Sequence, residues 1–412
     1  MLHLVLALAL AGPTGDAALQ KRVDRVLART PLIDGHNDVP WAWRARANRR
    51  LEDLPFETDT TGIERPMHTD LPRLQAGQLG GVFWSVWIPT DLEGPEAVVT
   101  VLEQIDLVHR MVERWPDELE LARSSGDVRR IHKQGKIASL IGMEGGHSIG
   151  GNLAILRSTY AAGARYMTLT HWETIPWADA ATDEPLSDGL SPFGEEVVKE
   201  MNRIGMLVDL SHVAATTMHD ALRVSEAPVI FSHSGAYAIN PHPRNVPDDV
   251  LDEVQENGGV VMVDFLPSYV SKDVHVWGAE RRAEKARLES MNLGNRAAVE
   301  SGLEAWEKEN APPVADLATV ADHVDHIAKR IGWEHVGIGT DFDGMGSAPT
   351  GLEDVSQIPN LLVELARRGY TDEQLAGIAG ENVLRVMERA EEVAVQLRKA
   401  RVASEADLEE KG

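Results

Sequence analysis

Eight apolar runs of strand length recur along the chain, with amphipathic stretches of helical spacing between them. That alternation constrains the fold more than any other feature. The runs are Leu32–His36, Gly81–Ile88, Ile137–Glu144, Tyr166–His171, Met206–His212, Val229–His233, Val260–Phe265 and Val336–Asp341. Between them, Glu96–Trp115 carries Val98, Val101, Leu102, Ile105, Val108 and Val112 at helical intervals, and Asn152–Ala162 reads the same way. Eight β/α units predict a closed (β/α)8 barrel, the TIM-barrel architecture, more than an open doubly wound sheet. Single barrels with insertions reach this length, and no repeat, linker or composition break calls for a second domain within 19–402.

The ends of the runs carry the chemistry. His36, Glu144, His171, His212, His233 and Asp341 each close a different run, at the edge where barrel active sites are built. A carboxylate such as Glu144, ending an apolar strand, costs on the order of several kcal/mol in desolvation unless a cation offsets it. Buried imidazoles in turn each need a partner. His36 and Asp38 lie two positions apart, so at a strand end they point the same way and could hold one cation. The competing reading is a turn in which Asn37 and Asp38 cap the helix after Pro40. Glu144 has two oxygens and could bridge two metals about 3.5–4 Å apart, with His36 and Asp38 on one and His212 and His233 on the other. Asp341 suits taking a proton from metal-bound water or holding a substrate ammonium; its alternative role is a helix N-cap.

Composition narrows the choices. Cysteine is absent, which excludes disulfides, thiolate metal sites and cysteine nucleophiles, so any metal must sit on His and carboxylate ligands. Forty basic against 65 acidic residues give a net charge of −25, which argues against nucleic-acid partners. Gly146-His147-Ser148-Ile149-Gly150 fits the G-x-S-x-G elbow of serine hydrolases, but a serine triad would leave His36, Asp38, His212 and His233 without work. Gly337-Ile338-Gly339-Thr340-Asp341-Phe342 breaks the dinucleotide fingerprint at its last position. The apolar Met1–Ala11, followed by small residues to Ala18, reads as a signal peptide at 1–18 and predicts export, although no Lys or Arg precedes it; a cytoplasmic protein with a short buried helix is the alternative. It is too short for a membrane span. Residues 271–310 read as a charged helical insertion before the eighth strand, and 403–412 as a flexible tail.

Several blocks in order, Asp34-Gly35-His36-Asn37-Asp38, Glu144-Gly145-Gly146-His147-Ser148, Thr168-Leu169-Thr170-His171, Phe231-Ser232-His233-Ser234, Arg244-Asn245-Val246-Pro247-Asp248-Asp249 and Gly339-Thr340-Asp341-Phe342-Asp343-Gly344, carry a further signal. From about Pro31 to Arg389 the chain resembles the membrane dipeptidase (renal dipeptidase) family of zinc peptidases, among the metal-dependent amidohydrolase-like barrels. The resemblance implies two zinc ions, one on His36 and Asp38 and the other on His212 and His233, with Glu144 bridging. It further implies that His171 and Arg244 contact a dipeptide, Arg244 gripping its carboxylate, and that Asp341 meets the amino end or shuttles the proton. The implied reaction is hydrolysis of a free dipeptide by a metal-bridging hydroxide. Other amide substrates (lactams, N-acyl amino acids), a serine hydrolase on Ser148 and a non-catalytic barrel are the alternatives. A homodimer is compatible with the chain, but the disulfides, glycans and lipid anchor of mammalian members are not expected from its signals.

Overall fold

The computed structural model describes residues 13–408. The run Met1–Ala11, expected as the core of a signal peptide, lies outside them. Among the described residues there are nine strands: β1 (Leu32–Asn37), β2 (Leu79–Ser85), β3 (Leu119–Leu121), β4 (Ile137–Glu144), β5 (Ala164–Thr168), β6 (Leu207–Asp209), β7 (Ile230–Phe231), β8 (Val260–Val263) and β9 (Val336–Ile338). Eight of them pair in parallel in the order β1-β2-β4-β5-β6-β7-β8-β9. Past the strand ends, Asp341 N donates to His36 O (3.1 Å) and Asp38 N to Phe342 O (2.9 Å), which brings the last strand round to the first. The result is the expected (β/α)8 barrel. The additional strand, β3, pairs with the first three residues of β4. Leu119-Glu120-Leu121 is too short for alternation to announce it.

Alternation along the strands divides the apolar side chains between two layers. Ile33, Phe83, Leu140, Tyr166, Leu207, Ile230 and Met262 pack together in one cluster. Their neighbours Leu32, Val82, Trp84, Ile141, Met167, Val208, Phe231 and Val261 pack in another, which also takes in the apolar faces of surrounding helices such as Gly94–Arg114 and Leu317–Ile331.

Several strands stop earlier than their apolar runs. β5, β6, β7 and β9 end at Thr168, Asp209, Phe231 and Ile338, so His171, His212, His233 and Asp341 stand in the loops just beyond. Two buried carboxylates account for part of this by capturing backbone N–H groups that would otherwise extend the ladder. Asp209 accepts from Ser211 N (3.1 Å) and Ser232 N (2.8 Å), and Asp34 accepts from His36 N (3.2 Å) and Thr340 N (2.9 Å). His212 and Asp341 adopt left-handed backbone angles (φ 69° and 62°), which turn the chain out of the strand direction.

The segment after β8 forms two helices, Lys272–Met291 and Arg296–Glu309, that pack on each other through Leu288, Val299 and Leu303. Beyond the last helix, Asn382–Ala400, the chain stays on the barrel through Leu408: Ser404 Oγ donates to Glu196 (2.9 Å) and Asp407 pairs with Asn152. Among the described residues, no helix is long and apolar enough to cross a membrane.

Candidate metal centre

Glu144, the last residue of β4, is 3 % exposed and stands at the middle of the barrel mouth. Its two oxygens face different groups. Oε2 lies 3.3 Å from His36 Nε2 and accepts from Ser85 Oγ (3.0 Å). Oε1 lies 3.1 Å from His212 Nε2, 3.6 Å from His233 Nε2 and 3.5 Å from His171 Nε2. Asp38 Oδ2 is 3.4 Å from His36 Nε2, on the Oε2 side. Residues from positions 36 to 341 thus converge, with His36, Asp38 and Asp341 forming one compact group and Glu144 joining His36 to His233 and His171 to His212.

Hydrogen bonds behind two of the rings decide which nitrogen each presents. His233 Nδ1 lies 2.8 Å from Ser232 Oγ, and that hydroxyl gives its own proton to Asp209 Oδ2 (2.6 Å). Nδ1 of His233 therefore donates, and Nε2 turns a lone pair toward Glu144. His171 is the reverse case. Its Nδ1 accepts from Trp87 Nε1 (3.1 Å), and an indole N–H has no acceptor capacity, so Nε2 carries the proton. His171 is thus a donor facing the centre, not a lone pair.

Charge balance points to a cation. Burial raises Glu144, but His36, His171 and His212 outweigh it and hold the carboxyl well below its usual range. Burial lowers His36, yet the facing carboxylates of Glu144 and Asp38 raise it well above its usual range. His212 and His233 are pushed well down by burial and then by neighbouring cationic groups, Arg244 among them. Burial also brings His171 to about 4, so it is neutral near pH 7. Burial and the neighbouring Asp264 and Asp38 raise Asp341 well above the carboxylate range. His212 and His233 held neutral beside a carboxylate held low have the protonation that a divalent cation requires. The fit has a direct sign: His36 Nε2, which faces Glu144 and Asp38, is buried without a hydrogen-bond partner. With nitrogen and oxygen donors only, the set suits zinc or a similar divalent ion.

The remaining expected residues fall around this group. Asp341 lines the cavity above it, with Trp41, Trp87, Trp172, Leu266 and Tyr269 forming much of the wall. Arg244 is wholly buried: its guanidinium donates to His233 O (3.1 Å) and Ser234 Oγ (3.3 Å), lies over the Tyr269 ring at 5.2 Å, and leaves Nε without a partner. Ser148 does not form a hydrolase elbow. Its hydroxyl is buried with no hydrogen-bond partner, and the neighbouring His147 bonds Pro89 O (3.1 Å). Sequence reasoning passed over Asp264, which follows β8, is fully buried and is raised by burial to about 6. Its signal was masked, since Asp264 lies within the apolar run Val260–Phe265 and does not close it as Glu144 closes its own. The tryptophans had no such signal, because an indole near a strand end is ordinary core.

A parallel eight-stranded barrel with a His and carboxylate cluster at the C-terminal ends of its strands defines a metal-dependent hydrolase of the TIM-barrel class. The chain belongs to the membrane dipeptidase family (peptidase family M19), whose sequence model matches residues 20–401. Among solved structures it is similar to a probable dipeptidase, PvdM, from Pseudomonas aeruginosa, at 25% identity and a TM-score of 0.76, covering 92% of this chain and 100% of that one. It is also similar to a metallopeptidase described as dipeptidase AC, at 25% identity and a TM-score of 0.71, covering 88% and 99%. A metallopeptidase from Rhodobacter sphaeroides, liganded with a phosphinate mimic of the dipeptide L-Ala-D-Ala, shares the fold at 24% identity and a TM-score of 0.70, covering 88% and 99%. The chain is therefore a metallo-dipeptidase, a hydrolase acting on peptide bonds.

Proposed function

We propose that this dipeptidase works with two zinc ions, one held by His36 and Asp38, the other by His212 and His233, with Glu144 shared between them. The observation that carries the reading is the division of Glu144: Oε2 faces His36, while Oε1 faces His212 and His233. Zinc bound there would supply Lewis acidity and an activated water for attack on the peptide carbonyl. The protein's own groups do the rest. His171, a neutral Nε2–H donor 3.5 Å from Glu144, stabilises the oxyanion as the carbonyl becomes tetrahedral. Asp341, in the cavity wall, returns a proton to the leaving amine or meets the substrate ammonium, and Arg244, with Nε unpartnered and its guanidinium over the Tyr269 ring of that wall, takes the carboxylate. The dipeptide mimic bound by the Rhodobacter sphaeroides protein supports a substrate of this size.

Metal analysis combined with a dipeptide panel tests the reading. If Arg244 and Asp341 clamp the two ends, amidating the carboxylate or acetylating the amine should each lose about 2–5 kcal/mol of transition-state binding, the order expected for a broken buried charged pair. Equal turnover of free, amidated and acetylated dipeptides would eliminate the clamp, and turnover by metal-free protein would eliminate the zinc chemistry.

A further inference from the structure

We infer that Tyr166 is a positioning residue that selects which ring nitrogen His36 presents to a metal ion. This rests on the two-zinc reading above and goes beyond it, because Tyr166 touches neither the cavity nor the substrate groups. Its phenol oxygen lies 2.8 Å from His36 Nδ1 and 3.3 Å from Gly35 O. A carbonyl only accepts, so the single phenol proton goes to Gly35, and the same oxygen accepts from His36 Nδ1–H. Nε2 is left as the nitrogen that faces Glu144 and Asp38, where a metal ion would take the place of its proton. That nitrogen makes no hydrogen bond, although carboxylate oxygens of Glu144 and Asp38 lie only 3.3 and 3.4 Å away.

The surroundings keep the arrangement in place. Tyr166 and His36 are both fully buried, so no water competes for Nδ1. Burial pushes the phenol above its usual range, which keeps it a neutral hydroxyl. Room for the ring depends on Gly142 in the adjacent strand, where a β-carbon would overlap the Tyr166 ring. The other imidazoles are supported differently: His233 Nδ1 rests on Ser232, itself backed by the Asp209 carboxylate, and His212 Nδ1 has no partner. The two halves of the centre are therefore unequal, a neutral phenol behind one histidine and an anion-backed serine behind another.

The test is Tyr166→Phe, which removes only the oxygen and leaves His36 Nδ1–H buried without an acceptor. Partners of this kind contribute about 10–100-fold in metal affinity. Chelator-competition titration with zinc should therefore find one ion weakened about 10–100-fold, the same ion that is lost in Asp38→Asn, and the other unchanged. Two wild-type affinities overturn the inference. So does equal weakening of both ions with a lower melting temperature of the metal-free protein, which would mark Tyr166 as packing alone. Should the variant not fold, nitrogen NMR of the histidines in zinc-loaded wild-type protein decides. A protonated Nδ1 on His36 with the ion on Nε2 supports the inference, and the ion on Nδ1 overturns it. A wild-type protein that binds no zinc would instead overturn the metal reading itself.

Discussion

A tryptophan N–H can donate but never accept, and through that asymmetry Trp87 determines what His171 can do. With Nδ1 occupied by the indole at 3.1 Å and burial keeping the ring neutral above about pH 4, His171 offers a proton at Nε2 throughout the neutral range. Trp87→Phe keeps the wall of the cavity apolar but frees Nδ1, so the ring loses its enforced tautomer. The expected outcome is a fall in kcat of about tenfold or more, below the 10²–10³ lost when an oxyanion donor is removed outright, with zinc content and KM unchanged. A raised KM at unchanged kcat would mean that Trp87 acts only as a surface for the substrate.

At the scale of an element, the helix Leu317–Ile331 is fastened to the barrel by one buried histidine. His323 Nδ1 accepts from Ala236 N (2.8 Å), and Nε2 lies 2.9 Å from Val270 O. One side chain thereby ties three segments together, the helix, the loop after β7 and the turn that leads into the helical pair. Burial lowers His323 to about 4. Unfolded, it would titrate near its ordinary value, so between about pH 4 and 6.5 the unfolded chain binds the extra proton. Stability from this group is full above about pH 6.5 and is lost as pH falls toward 4, by on the order of 3 kcal/mol. His323→Gln removes the titration. Urea unfolding across this range should give a difference between wild type and variant that narrows on acidification; a constant difference would show that His323 is not held neutral by the fold.

For the whole molecule, the barrel was legible because eight buried parallel strands must read as eight apolar runs, and the cluster was legible because polar groups ending such runs stand out against them. What stayed hidden was of two kinds. Strand ends could not be placed, since Asp34 and Asp209 end ladders by bonding backbone just past the ends of other strands, Thr340 N and Ser232 N, which no local pattern encodes. Groups behind the ligands, such as Tyr166 and Trp87, look like core residues until the fold sets them against His36 and His171. The central claim is that Glu144 is shared by two ions across the mouth of the barrel. Anomalous diffraction from zinc-loaded crystals tests it most directly. Two peaks are expected, one beside His36 and Asp38 and the other beside His212 and His233, each in contact with a different oxygen of Glu144. A single peak, or two peaks with Glu144 bound to neither or only one, would contradict it.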